Sequence, residues 1–256
     1  MKIFVATHKE YTMPSDSIYQ PFWAGAAISK TYKGQFPGDN TGDNISVKNP
    51  CFNELTVVYW AWKNCDEDIK GLVHYRRFIG KRQAKGSDFY DKIIDAKECE
   101  ELLKTHDVIV PYPKRYYVMS IYDHYIKSKK EIRKELTTDM AQLRAAIAKL
   151  YPDYVETYDK VMKRTSAHML NMFIMRREQF DGYCEWLFNI LFEVERHILE
   201  YRQWDDRVCG AISELMLDIY LTKNNLSIVE RPLVELEGVS LIKKVSNRLK
   251  RMLGVK

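Results

Sequence analysis

The chain opens with an apolar, β-rich run from Met1 to Thr7 that ends in Thr7-His8-Lys9, the pattern of a buried parallel strand feeding a loop. Residues 24–28 carry a weaker strand pattern. Turn formers crowd residues 34–50 and predict a loop. A helical pattern then opens at Cys51 or Asn53 and runs through Glu54 to Lys63. Trp60 and Trp62 stand two apart, so one helix cannot present both on the same face. A short strand, Ile69 to Val73, leads into His74-Tyr75-Arg76-Arg77. Residues 96–104 read as helix, and Asp107 to Val110 as a buried strand closed by Pro111 and Pro113. The second half is richer in helix. Patterns run from Tyr122 to Lys134 and from Thr138 to Lys163, the latter divided by Pro152. Leu170 to Met175 predicts a strand, Glu178 to Leu199 a long amphipathic helix, Asp205 to Thr222 another helix, and Leu226 to Val229 a last strand. Within the long helix, Tyr183, Trp186, Leu187, Ile190, Leu191 and Val194 form a stripe that reads as core. Strands alternating with helices predict an α/β domain over residues 1–238, with a mostly parallel sheet flanked by helices. A tail, residues 239–256, follows.

Composition narrows the class. At 46% hydrophobic and 29% charged residues, with 11 Gly and 8 Pro among 256, the chain is neither fibrous nor disordered. No apolar stretch approaches the roughly 18 to 20 residues of a membrane span. The opening apolar run is too short for a signal-peptide core, which predicts a cytoplasmic protein. Five scattered cysteines, none in a C-x-x-C pair, argue against a disulfide frame or a zinc site. The 17 Tyr and 5 Trp suit a protein that handles sugars, bases or a membrane interface. Net charge is +5, but residues 238–256 hold six basic side chains and no acidic one, leaving residues 1–237 at −1. Charge gathered in a tail disfavours nucleic acid as a partner. In that tail Leu241, Ile242, Val245, Leu249, Met252 and Leu253 recur at helical spacing between the cations. This is either a helix docked on the body or a basic amphipathic helix for an anionic membrane surface.

Ligands of open α/β sheets bind beyond the carboxyl ends of the strands. That rule selects Thr7, His8 and Lys9, then His74 to Arg77, then Lys114 and Arg115. The Arg76–Arg77 pair is either a diphosphate clamp or two surface ion pairs. Gly38-Asp39-Asn40-Thr41-Gly42-Asp43-Asn44 either grips sugar hydroxyls or is a tight turn. A P-loop, G-x-G-x-x-G, H-E-x-x-H and G-x-S-x-G are all absent, which disfavours nucleotide triphosphatases, Rossmann dehydrogenases, zincins and α/β-hydrolases. Asp205 and Asp206 stand at an expected helix start, as caps or as a general base at a cleft mouth. Glu214, seven residues after Arg207, is either its ion-pair partner or a second acid of the site.

These motifs together resemble the bacterial capsular and exopolysaccharide glycosyltransferases marked by a His-Tyr-Arg-Arg signature, some of them galactofuranosyltransferases. The residues that carry the resemblance are Lys2 to Lys9, Gly38 to Ser46, Asn49-Pro50, Glu54 to Thr56, Tyr59 to Lys63 and Gly71 to Phe78. Later ones are Asn171 to Met175, Tyr183 to Phe188, and Arg207 with Gly210 and Glu214.

The resemblance implies a glycosyltransferase A-like fold and transfer of a sugar, best galactofuranose from UDP-galactofuranose, to a lipid-linked or growing glycan. The expected chemistry is an inverting displacement. Arg76 and Arg77 would receive the leaving diphosphate, with Lys9 or Arg115 assisting, and His74 sits at the same strand end. Thr7, His8, Asp43 and Asn44 would hold the nucleoside, and Asp206, then Glu214, with Asp205 beside them, would take the acceptor proton. His168, Asn171 and Trp60 are expected on the acceptor side. Such folds usually place a metal-binding Asp-x-Asp after a mid-domain strand. Here His74-Tyr75-Arg76-Arg77 follows that strand and Asp66-Glu67-Asp68 precedes it, which puts a manganese or magnesium cofactor in doubt. Other sugar nucleotides, such as UDP-galactopyranose or UDP-glucose, would fit the same machinery, and a non-catalytic glycan-binding module is the alternative class.

Overall fold

The structure is a computed structural model and describes residues 1–83, 88–128, 136–200 and 207–236. Asp205, Asp206 and the tail lie outside the described residues. Strand β1 (Lys2–Thr7) is buried from Ile3 onward. Burial of every side chain in a strand needs cover on both faces. Phe4 and Ala6 enter one apolar cluster, and Ile3 and Val5 enter another across the sheet. On one side β1 pairs in parallel with β2 (Tyr19–Trp23), and on the other with β3 (Ile69–His74). The chain then turns tightly into β4 (Arg77–Ile79), with His74 opposite Arg77. β5 (Val108–Pro111) follows. A small ribbon of β6 (Lys114–Arg115) and β7 (Ser166–Ala167) stands apart from the main sheet. β8 (Phe173–Arg176) runs antiparallel between β3 and β5. β9 (Ile228–Arg231) pairs in parallel with β5, and β10 (Leu233–Glu235) pairs antiparallel with β4. Only β4 and β8 run against the common direction, so the mostly parallel α/β sheet expected from the sequence is present.

Helices flank this sheet. α1 (Asn49–Phe52) and α2 (Leu55–Asn64) cover the face of Phe4, and α3 (Ala96–Leu103) covers the opposite face through Cys99 and Leu103. Asp95 caps α3 by accepting a 2.9 Å hydrogen bond from the Glu98 amide. The helix-rich second half comprises α4 (Ile121–Ser128), α5 (Leu136–Leu150), α6 (Val155–Met162), α7 (Arg177–Ile198), α8 (Val208–Ser213) and α9 (Leu217–Lys223). These helices share the Phe4 face, and the whole apolar stripe of α7 is buried there. Pro152 does divide the helical pattern around it, standing between α5 and α6.

Two expected elements differ. Residues 24–28 form a turn, and the strand lies upstream at Tyr19–Trp23. The buried Asp39 carboxylate accepts the Gly25 and Ala26 amides at 2.7 and 2.9 Å, and Gly25 takes a φ of +70°, which bends the chain off the sheet. Pro21 is tolerated in β2 because β1 is its strand partner and the opposite edge carries a bridge only at Trp23, to Gly38. The helix expected to reach Thr222 breaks between Ser213 and Leu217. There the Ser213 hydroxyl donates back to the Gly210 carbonyl at 2.8 Å, and tighter i to i+3 bonds take over.

A cationic cleft at the ends of the central strands

The carboxyl ends of β1 and β3 open into a cleft of about 550 Å³. Thr7 ends β1 with its hydroxyl donating to the Lys9 carbonyl at 2.5 Å while accepting the Lys9 amide at 3.2 Å. This local turn presents His8 to the cleft, its ring edge-on to Tyr75 at 5.3 Å. Partial burial lowers the His8 pKa first, and the positive charges of Lys9, Arg207 and Arg76 lower it further. The imidazole is therefore neutral at neutral pH and stands among cations. Arg76 lies over the Tyr75 ring at 5.0 Å. Arg77, on β4, pairs with Glu235 on β10 at 3.4 Å while still lining the cleft. His74 Nε2 lies 2.6 Å from the Leu170 carbonyl. A carbonyl only accepts, so Nε2 carries the proton.

The opposite wall comes from α1, α2 and α8. Arg207 adopts a φ of +53° and its amide donates to the Pro50 carbonyl at 3.2 Å, which seats a third guanidinium on the cleft. Asn49 Nδ2 donates to the Asn53 carbonyl at 2.8 Å. Two carboxylates, Glu54 and Glu214, also line the cleft. Tyr116 is pushed up to about 12, by burial first and then by the Glu214 charge.

The structure thus gathers Thr7, His8, His74, Arg76, Arg77 and Glu214 of the residues singled out in the sequence. Lys9 stands just outside, its ammonium 5.5 Å from the Tyr75 ring centre. Arg115 belongs to the separate ribbon. Asp43 and Asn44 are not at the cleft. Their loop docks on α2, where Asp43 accepts from the Tyr59 hydroxyl at 3.2 Å and Asn64 donates to the Asp43 carbonyl at 2.8 Å, while Asn44 Nδ2 donates to the Gly42 carbonyl at 3.0 Å. Trp60 packs on Phe22 with ring centres 4.4 Å apart and lines another cavity, of about 720 Å³, toward the start of β1. Trp62 stacks instead on Phe188, so the two indoles do face apart. His168 is buried in a polar cluster of its own: Nδ1 meets Asp218 at 2.5 Å and Nε2 meets Glu230 at 3.2 Å. Asn171 is buried beneath the cleft and holds Glu54. Asn53, Glu54 and Arg207 line the cleft as well; the sequence pattern sets the first two at a helix opening and Arg207 beside Glu214, with no site role for any of them.

The strand end of β3 carries an imidazole and two guanidinium groups in place of an Asp-x-Asp. His74 has Nε2 committed to a carbonyl. Among the described residues no group of three or more His, Cys, Asp or Glu side chains is arranged to hold a metal ion. Nor is any described helix long and apolar enough to cross a membrane.

Three arginines and two carboxylates thus share one cleft beyond the strand ends of a mostly parallel α/β sheet. The chain belongs to the family described as a domain of unknown function, DUF4422, which it matches over residues 2–225. Curated protein sequences contain no match to it. Its structure is similar to that of WbbM, described as a bifunctional glycosyltransferase in its apo form. The TM-score is 0.81, with 29% sequence identity over 93% of this chain and 45% of WbbM. The chain therefore spans about half the length of that relative. This likeness agrees with the glycosyltransferase-like fold expected from the sequence.

Proposed function

We propose that the cleft transfers a glycosyl group from a nucleoside-diphosphate sugar to a hydroxyl acceptor. One observation carries the reading: Arg76, Arg77 and Arg207 line a single cleft that also holds the carboxylates Glu54 and Glu214. When the glycosidic bond to the diphosphate breaks, negative charge builds on the departing phosphate. Guanidinium groups fixed beforehand stabilise that charge without reorganising. His8, neutral among these cations, gains proton affinity once the diphosphate offsets their charge, and then donates to it. Thr7 and Lys9, at the same strand end, serve the donor side. The likeness to WbbM supports transfer chemistry, and the match between Arg-rich strand end and diphosphate supports the donor class.

The finer reading is galactofuranose from UDP-galactofuranose, moved with inversion onto a lipid-linked capsular, exopolysaccharide or O-antigen glycan. It rests on the sequence resemblance. The basic amphipathic tail supports an acceptor at the inner face of the cell membrane, where several cations at about 1 kcal/mol each would give reversible attachment. The test is release of nucleoside diphosphate from a panel of UDP-furanoses and UDP-pyranoses with lipid-linked acceptors. Release from one donor, lost in Arg207→Ala, is the expected result. Glycan binding with no release from any donor would favour the non-catalytic module. Sedimentation with anionic vesicles, full chain against a chain ending at Glu237, tests the tail.

A further inference from the structure

Glu54 stands at the head of α2 with Oε1 accepting a 2.7 Å hydrogen bond from Nδ2 of Asn171. Asn171 is 1% exposed, and the same Nδ2 reaches the Gly210 carbonyl at 3.4 Å. Both partners only accept, so the amide has one orientation: turned over, it would set oxygen against oxygen twice. That orientation is kept although it leaves Asn171 Oδ1 buried with no hydrogen-bond partner in the structure. The consequence is a Glu54 carboxylate held by a buried amide of fixed orientation.

The backbone around this carboxylate has the same character. Six non-glycine residues among those described take a positive φ. Four of them surround Glu54: Asn53 at +52°, Leu170 at +81°, Asn171 at +52° and Arg207 at +53°. Asn53 precedes Glu54, Leu170 and Arg207 line the cleft with it, and Asn171 bonds to it. Strained backbone persists where its surroundings over-determine it, and it gathers at functional sites. The Leu170 carbonyl also orients His74, so one strained turn sets an acid–base group on each side of it.

We propose that Glu54 is the catalytic carboxylate that takes the acceptor proton, and that Asn171 is its positioning residue. The inference rests on the glycosyl-transfer reading of the same cleft. The acceptor oxygen bonds to the anomeric carbon as the bond from that carbon to the β-phosphate oxygen breaks. That bond's electron pair leaves on the nucleoside diphosphate. The hydroxyl proton passes to the free oxygen of Glu54, and from there to water. Glu214 is the other carboxylate of the cleft among the described residues, and it stands at the end of α8, where the helix dipole disfavours negative charge. Asp205 and Asp206 enter the test as rivals.

The experiment follows nucleoside-diphosphate release by the full chain across a pH series, with UDP affinity measured by calorimetry. Glu54→Gln keeps the acceptor for the Asn171 amide and removes the base. It is expected to lower kcat roughly a hundredfold or more, with UDP affinity within about twofold of wild type. Asn171→Asp sets a second carboxylate beside Glu54 and raises its proton affinity, so the acid limb of kcat moves to higher pH. Asn171→Ala lowers kcat without that movement. A wild type that releases no nucleoside diphosphate overturns the glycosyl-transfer reading and this inference with it. An active wild type with an unimpaired Glu54→Gln, or with Asp206→Asn or Glu214→Gln as the dead variant, overturns the inference alone. If Glu54→Gln fails to bind UDP, Asn171→Asp decides: an unmoved acid limb overturns the proposal.

Discussion

Gly210→Ala offers a test in which ordinary helix propensity and the observed packing predict opposite signs. Gly210 is the third residue of α8, and alanine at a helix position normally stabilises by about 1 kcal/mol over glycine. Here a Cβ would lie 2.3 Å from Asn53 Nδ2, 3.1 Å from its Cγ and 3.2 Å from its Cβ. Rotating the Asn53 amide relieves the first contact but not the last. Asn53, held at a φ of +52°, must therefore shift as a whole. Overpacking of this kind costs about 1–3 kcal/mol. Three close contacts put it near the upper end, so the net destabilisation is about 2 kcal/mol. At about 2.1 cal/mol/K per residue, 256 residues unfold with an entropy near 0.54 kcal/mol/K, so Tm falls by about 4 °C. Because Asn53 adjoins Glu54 and the Gly210 carbonyl accepts from Asn171, kcat is expected to fall about tenfold, more than the stability loss alone explains. Differential scanning calorimetry and a nucleoside-diphosphate release assay read both. A variant that melts higher than wild type and turns over normally would show that α8 and α1 are not in contact as described, and the reasoning would fail.

Arg76→Ala and Arg77→Ala are each expected to cut kcat at least tenfold, since about 1.4 kcal/mol of leaving-group stabilisation is worth that factor. The Arg77–Glu235 pair is partly exposed and worth well under about 1 kcal/mol, so a wild-type rate in both folded variants would remove the clamp. Turnover is expected to persist in excess chelator. Loss of activity that manganese or magnesium restores would reassign Asp205 and Asp206 as metal ligands. For His168, burial by itself lowers the pKa, but the hydrogen bond and charge of Asp218 and the Glu230 contact outweigh it and raise the pKa above 6.5. Its stabilisation is therefore full below the unfolded value of about 6.5 and is lost as pH rises through the folded pKa. The Tm gap between wild type and His168→Gln should be larger at about pH 5.5 than at about pH 9, and a gap that widens toward high pH would contradict the cluster.

Much of this architecture was readable because apolar runs in a doubly covered sheet are continuous. β1 and β5 show that run, β3 shows it apart from the buried Lys70, and α7 shows its stripe over its whole length. The direction of β8 was not readable, since a strand covered on both faces looks the same whichever way it runs. β2 was hidden by Pro21, and the three-residue strands β4 and β10 are too short for any periodicity to show. In the site, the strand-end rule located Thr7, His8, His74, Arg76 and Arg77, whose positions depend on local chain direction. Glu54 escaped because its partner Asn171 is 117 residues away. Asp43, Trp60 and His168 lie away from this cleft, each engaged by a side-chain partner that the strand-end rule does not anticipate.

The match to the family ends at residue 225, yet β9 and β10 lie beyond it. β9 zips onto residues 108–111, β10 braces the strand that carries Arg77, and the Leu236 amide donates to the Arg76 carbonyl at 2.9 Å. During synthesis, then, the arginine-bearing hairpin waits for a partner 158 residues downstream of Arg77. Contacts so distant along the chain are closed late and slowly. A recombinant fragment cut at the family boundary would leave β4 and β5 with open edges, a ready template for aggregation. Expression designs should therefore extend past residue 236.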